Sequence, residues 1–274
     1  MSHCICRSVL QLLSLPLAII VFSLHAPAAE KQPEQTVRFL SVRGEQLELV
    51  GHLRRPDGVG PFPAVVLLHG CGGNWRVMDS RWGKRFVKWG YVALSVDSYG
   101  PRGIKSVCGA FSLRDPPDHK WDAFGALNFL ASQPFVAPAQ VAVIGGSGGG
   151  TMVLMDAEQN TEQGFRHQFR AAIALYPGCE VVHWPMAIAT LILVGQLDTL
   201  TPAQSCEDLA LGDANTPKDD NVRLLVFAGA YHAFDNTSFP KKTPFLGHWL
   251  RYDAAATKRS VVEIREFLRN HLGK

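Results

Sequence analysis

The sequence predicts a doubly wound α/β domain: a mostly parallel sheet with helices on both faces. Three observations predict it. Continuously apolar, β-branched runs such as Ala64-Val-Val-Leu-Leu68 recur along the chain, as expected of strands buried on both faces of a parallel sheet. They alternate with segments of helical spacing, with no shift of composition between them. One such run leads through the tight turn Gly145-Gly-Ser-Gly-Gly149 directly into a helical segment.

Taken in order, Thr36–Val42 and Gln46–Arg54 are rich in β-formers and flank Arg43-Gly44-Glu45, a hairpin signal. Pro56 to Pro63 is a Pro/Gly loop, and Ala64–Leu68 is the first core strand. Trp82–Trp89 has helical spacing, and Tyr91–Val96 is the next strand. Trp121–Ala131 reads as a helix with Trp121, Phe124, Leu127 and Leu130 on one stripe. Gln140–Ile144 is a strand and Gly149–Ala157 a helix, followed by strands Ala171–Tyr176 and Ala189–Val194. Pro202–Leu211 reads as a helix with Thr201 as its N-cap, Val222–Phe227 as the last strand and Ser260–Leu272 as the last helix. The stretches 98–120 and 236–257 lack periodicity, which suits lids, substrate walls or plain surface excursions.

Composition is ordinary for a globular chain: 47% hydrophobic and 19% charged residues exclude a disordered polymer. A net charge of +3 with no long basic run argues against a nucleic-acid groove. The N-terminus reads as an export signal. Arg7 precedes an apolar run, Val9 to Leu24, and Ala26-Pro27-Ala28 offers a cleavage site after Ala28. An uncleaved anchor is the alternative, but the run is short for a span and carries Pro16. The expectation is a signal at residues 1–28, touching a membrane only before cleavage, and one domain at 29–274 in the periplasm or outside the cell.

Export changes how the cysteines read. Cys71, Cys108, Cys179 and Cys206 remain after cleavage, and an oxidising compartment favours pairing. Three connectivities are open. Cys71–Cys108 with Cys179–Cys206 is preferred, because each pair would join neighbouring loops at one end of the sheet; free buried thiols are the alternative. No metal is expected, since neither Cys-x-x-Cys nor His-Glu-x-x-His spacing occurs.

The chemistry centres on Ser147. A Gly-x-Ser-x-Gly turn between a strand and a helix pushes the serine Oγ out at the top of the sheet and aims the next N–H, that of Gly148, at a substrate oxygen. A dinucleotide fingerprint fails here, because Thr151 stands where a small residue is needed and no acid ends the following strand. A serine needs a base. Asp198 follows one buried strand and His232 the next, giving the chain order Ser, Asp, His. Singly, such an aspartate is a turn residue and such a histidine is structural; together, at strand ends behind the turn, they point to a catalytic triad. The loop His69-Gly-Cys-Gly-Gly73 offers the N–H of Cys71 as a second oxyanion donor, with His69 as a structural brace. Trp75, Tyr99 and Arg102 are candidate substrate contacts, with Trp121 and Phe234 near the same loops.

His69-Gly-Cys-Gly-Gly, Asp97-Ser-Tyr-Gly-Pro-Arg-Gly103, the serine turn, Leu175-Tyr-Pro-Gly-Cys179, Val194-Gly-Gln-Leu-Asp-Thr-Leu-Thr-Pro202 and Gly229-Ala-Tyr-His-Ala-Phe-Asp235 together resemble the dienelactone hydrolase family. The resemblance spans roughly Leu47 to Leu272. It implies an α/β-hydrolase fold with an eight-stranded sheet, little or no cap domain and no cofactor. It places the triad on Ser147, Asp198 and His232 and the oxyanion donors on Cys71 and Gly148. Members that cleave dienelactone use a cysteine nucleophile and a glutamate after the first-loop histidine. This chain has Ser147 and Gly70 there, and so looks more like the general esterase branch. The expected partner is a small-molecule ester. An amide or peptide hydrolase on the same triad, or a non-catalytic binding protein on the fold, are the rival readings.

Overall fold

The computed structural model describes residues 1, 34–42, 47–109, 119–158, 165–182, 185–212 and 218–273. The expected export signal, but for Met1, and residues 43–46, where the hairpin signal falls, lie outside these residues. No helix among the described residues is long and apolar enough to cross a membrane.

The hairpin pairs β1 (Gln35–Leu40) antiparallel with β2 (Glu48–Arg54). Six further strands complete the sheet: β3 (Phe62–Leu68), β4 (Val92–Asp97), β5 (Val136–Gly146), β6 (Ala171–Leu175), β7 (Ala189–Gly195) and β8 (Val222–Phe227). The order is β1-β2-β4-β3-β5-β6-β7-β8, and every pairing from β4 to β8 is parallel. β2 alone runs against the rest. The chain steps from β3 outward to β4, then returns to the far side of β3 as β5. The loops after β3 and β5 therefore part, and open sheets of this kind bind ligands in the crevice left there.

Alternation along the strands sends side chains to two cores. Val66, Leu68, Val141 and Val143 meet α3 (His119–Ala131), α4 (Gly148–Glu158) and α5 (Ala203–Leu211). Val65, Leu67, Ala142 and Ile144 meet α1 (Trp75–Met78), α2 (Lys84–Lys88) and α6 (Ala254–Leu272). This is the α/β-hydrolase fold, with eight strands and helices on both faces.

Several local expectations are corrected. Helix begins at Trp75, before the expected Trp82, and a single π-turn, Asp79–Gly83, joins α1 to α2. α6 begins at Ala254, before the expected Ser260, because Asp253 caps it by accepting from Ala256 N–H at 2.9 Å. Its first turns, Ala-Ala-Ala-Thr, carry no apolar stripe to announce them. Thr201 is not the cap of α5; that position is Pro202, without a side-chain bond, and the Thr201 hydroxyl turns to Asp198 instead. Within 236–257 lies a hairpin, β9 (Thr243–Phe245) and β10 (His248–Leu250). Its turn residues Leu246 and Gly247 have φ 49° and 81°, as a type I′ turn requires.

Candidate active site

β5 delivers Ser147 at its carboxyl end with φ 55°, a conformation that costs a non-glycine residue about 1–3 kcal/mol. The surroundings hold it there. Ser147 N–H donates to Leu175 O at 3.0 Å, and Ser147 O accepts from Thr151 N–H at 2.9 Å as α4 begins. The flanking glycines are steric necessities: a Cβ on Gly145 would stand 2.2 Å from Gly149 O, and one on Gly149 would stand 2.5 Å from His69 O. Such contacts bring the first loop and the serine turn against each other. A Cβ at Gly70 would be a tight fit, 3.1 Å from Gly146 O and 3.3 Å from Ser147 Cβ.

The three expected side chains meet. His232 Nε2 lies 2.9 Å from Ser147 Oγ, and His232 Nδ1 lies 2.6 Å from Asp198 Oδ2. An ionised carboxylate only accepts, so Nδ1 carries the ring proton and Nε2 is free to accept from the serine hydroxyl. Asp198 is buried and fully engaged. Its Oδ1 accepts from the N–H groups of Leu200 and Thr201 at 2.9 and 3.0 Å, and Thr201 Oγ1 lies 2.9 Å from Oδ2. The disulfide Cys179–Cys206 ties the loop after β6 to α5, which leaves the Asp198 loop.

A second buried group supports the histidine. Asp235 Oδ1 accepts from Arg81 at 2.5 Å and from the Tyr176 hydroxyl at 2.8 Å; Oδ2 accepts from Trp82 Nε1 at 2.7 Å. The Tyr176 ring stands edge-on to the His232 imidazole with centroids 4.7 Å apart. Burial, then the Asp235 charge, raise the Tyr176 pKa, so it stays a neutral donor. Burial works against the Arg81 charge, but Asp235 and Tyr176 offset it and the guanidinium stays protonated. Sequence reasoning missed Arg81, Tyr176, Thr201 and Asp235 as site residues, although Asp235 sits three places after the histidine inside a motif already singled out.

His69 is the brace expected of it. Ser98 N–H donates to its Nε2 at 3.3 Å, so Nδ1 holds the proton and donates to Gly70 O at 2.9 Å. The ring thus joins the loops after β3 and β4. Burial lowers its pKa, and the folded protein holds it neutral. The unfolded chain protonates it below about pH 6.5. Stability from this group is therefore present above that value and lost as pH falls towards the depressed folded pKa. Urea unfolding midpoints should fall from pH 7.5 to 5, and fall less steeply in His69→Gln; equal slopes would remove His69 from the account.

Two depressions flank Ser147. One, of about 310 Å³, reaches His232, Arg81 and Phe239. The other, of about 270 Å³, reaches Gly148, Leu200 and Leu246. Cys71 lines both, and Cys71 and Cys108 are joined as a disulfide. Gly148 is the first residue of α4, where N–H groups have no partner within the helix. A larger depression between β1 and α3, of about 570 Å³, is lined by Ser41 but by no histidine or carboxylate.

The candidate substrate contacts lie elsewhere, which corrects those readings. Arg102 is spent on Asp122, at 2.7 and 3.0 Å, and on Ser98 O. Tyr99 is buried with its ring edge-on to His69. Trp75 is buried and stacks on His52 with centroids 3.5 Å apart. None of the three lines either depression. Trp121 packs near Phe165, and Phe234 lies in the core beneath the His232 loop. The apolar wall comes instead from the β9–β10 hairpin through Phe245, Leu246 and Leu250.

Comparison with known proteins bears on the family and the fold. A Synechocystis sp. protein named for carboxymethylenebutenolidase activity is 24% identical over 220 residues, 71% of this chain and 85% of its own. A dienelactone hydrolase-like promiscuous phosphotriesterase from metagenomic libraries superposes with TM-score 0.68 at 21% identity, over 88% of this chain and 99% of its own. Thermogutta terrifontis esterase 2, in a structure phosphorylated by paraoxon, gives TM-score 0.62 at 18% identity, over 88% of this chain and 95% of its own. At these identities the two structures speak for the fold. Residues 49–272 match the Dienelactone hydrolase family, which covers both strands of the crevice, the serine turn and the acid and base loops. The chain belongs to that family and is a hydrolase of carboxylic esters.

Proposed function

We propose that the protein is an exported serine esterase in which Ser147 attacks the ester carbonyl and carries the acyl group. His232 takes the serine proton and later returns it to the leaving alcohol; Asp198 holds the imidazole tautomer and stabilises the imidazolium. The N–H groups of Cys71 and Gly148 receive the developing oxyanion, helped by the positive end of α4. Water, activated by His232, then releases the acid. The observation that carries this reading is the 2.9 Å contact between His232 Nε2 and the hydroxyl of a residue held at positive φ.

Two disulfides favour an oxidising compartment, in keeping with removal of residues 1–28 on export. A fluorophosphonate probe tests the nucleophile. The mature protein should gain one adduct, and peptide mapping should place it on Ser147; an adduct on another residue sinks the assignment. The phosphorylated Thermogutta esterase makes such a probe apt.

A further inference from the structure

The two depressions beside Ser147 have four residues in common: Cys71, Cys108, Ser147 and Phe245. Beside Ser147, what the two depressions share is therefore the Cys71–Cys108 disulfide and Phe245. These residues come from three separate parts of the chain. Cys71 lies after β3, Cys108 after β4, and Phe245 at the end of β9. The peptide of Cys71 is held from two directions. Its side chain is bonded to Cys108, and its carbonyl accepts from Val107 N–H at 2.9 Å. The loops are in close contact around it: a Cβ on Gly73 would stand 2.7 Å from the Tyr99 ring and 2.9 Å from Lys105 O. A carbonyl fixed by its neighbour and a side chain fixed by a covalent bond leave little freedom to the backbone N–H between them.

We propose that the Cys71–Cys108 disulfide, with Phe245, is the septum of the active site: it separates an acyl chamber from an alcohol chamber and holds the Cys71 N–H at the oxyanion. This rests on the esterase reading above. Chemistry assigns the chambers. When the tetrahedral intermediate collapses, the bond from carbonyl carbon to alcohol oxygen breaks and the proton on His232 Nε2 passes to that oxygen. The alcohol must leave within reach of Nε2, and of the two chambers His232 lines only the 310 Å³ one, which Val77 also lines. The acyl group stays on Ser147 and occupies the 270 Å³ chamber, whose walls Leu200, Phe245 and Leu246 suit an aliphatic chain. Each chamber has room for several carbon atoms.

Three esters test this: methyl acetate, methyl hexanoate and hexyl acetate. Ratios of kcat/KM between them do not depend on the fraction of a variant that folds. Leu246→Trp should cut the methyl hexanoate to methyl acetate ratio about tenfold or more, since each methylene excluded from an apolar pocket is worth about tenfold or more. It should leave the hexyl acetate to methyl acetate ratio within about twofold of native. Val77→Trp should do the reverse. Cys71→Ser/Cys108→Ser keeps the backbone N–H and the other disulfide, and should lower kcat about tenfold or more with KM moving less, as a displaced oxyanion donor does. Both ratios moving together in each tryptophan variant, or a native kcat in the double serine variant, would overturn the septum. A native protein that cleaves none of the three esters sinks the esterase reading and the septum with it.

Discussion

Replacing Ser147 by alanine is expected to lower kcat on an ester the native enzyme cleaves by about 10⁶-fold. The fold should survive, because alanine fits the same turn. The strain at φ 55° is retained, and the backbone bonds to Leu175 O and from Thr151 N–H do not involve the hydroxyl. Alanine for His232 should cost about as much, and the double variant little more, because the two act as one unit. Asp198→Asn should cost about 10⁴-fold, since an amide at Oδ2 would favour the wrong imidazole tautomer. The hydroxyl of Thr201, 2.9 Å from that oxygen, would remain in place. Steady-state kinetics with active-site titration check the ordering Ser147 ≈ His232 > Asp198. A Ser147→Ala enzyme within about tenfold of native would mean that this hydroxyl is not the nucleophile.

The meeting of Ser147, Asp198 and His232 was legible because each of these residues is announced by backbone pattern. β5 carries Val141-Ala-Val-Ile144, β7 Leu191-Ile-Leu-Val194 and β8 Leu224-Leu-Val-Phe227, and each functional residue stands within a few places of a strand end. Parallel strands all point the same way, so strand ends converge without any knowledge of side-chain contacts. Gly145 and Gly149 carry the same message, because a Cβ on either would stand 2.2–2.5 Å from a backbone oxygen. The cysteine pairing followed from the same logic: loops at one end of a sheet are neighbours.

The walls of the site were not legible, for a physical reason. Trp75, Tyr99 and Arg102 have the side chains a ligand would want and sit on the right loops. Direction decides between site and core, and direction in a loop is set by tertiary contacts. Asp122, buried on α3, captures Arg102, and His52 captures Trp75. The β9–β10 hairpin is only three residues per strand, too short for periodicity to show, and its turn places Leu at a positive-φ position where sequence rules expect Asn or Gly. Thr201 looked like a cap because threonine before a helix usually is one; here Asp198 competed for the hydroxyl and won.

Asp235→Asn is expected to cost about 3–5 kcal/mol of stability, the largest effect outside the triad. The aspartate side chain is 2% exposed and its partner Arg81 14%, so solvent screens the pair poorly. An asparagine could still accept from Trp82 or Tyr176, but it would leave the Arg81 guanidinium buried opposite a neutral amide. The cost comes from that stranded charge rather than from the lost attraction, because a buried pair gains little beyond its own desolvation. Removing both charges should therefore hurt less than removing one: Asp235→Asn/Arg81→Met should recover a substantial part of the loss, a sign of coupling that a packing defect would not give. Activity should follow a different course. Tyr176 stands against the imidazole and donates to Asp235, so both variants should lower kcat through the His232 loop whether or not stability is regained. Urea unfolding of the two variants beside the native protein reads the first effect, and kcat per titrated site reads the second. A loss below about 1 kcal/mol for Asp235→Asn would show that water reaches the pair and that the His232 loop is held by something else.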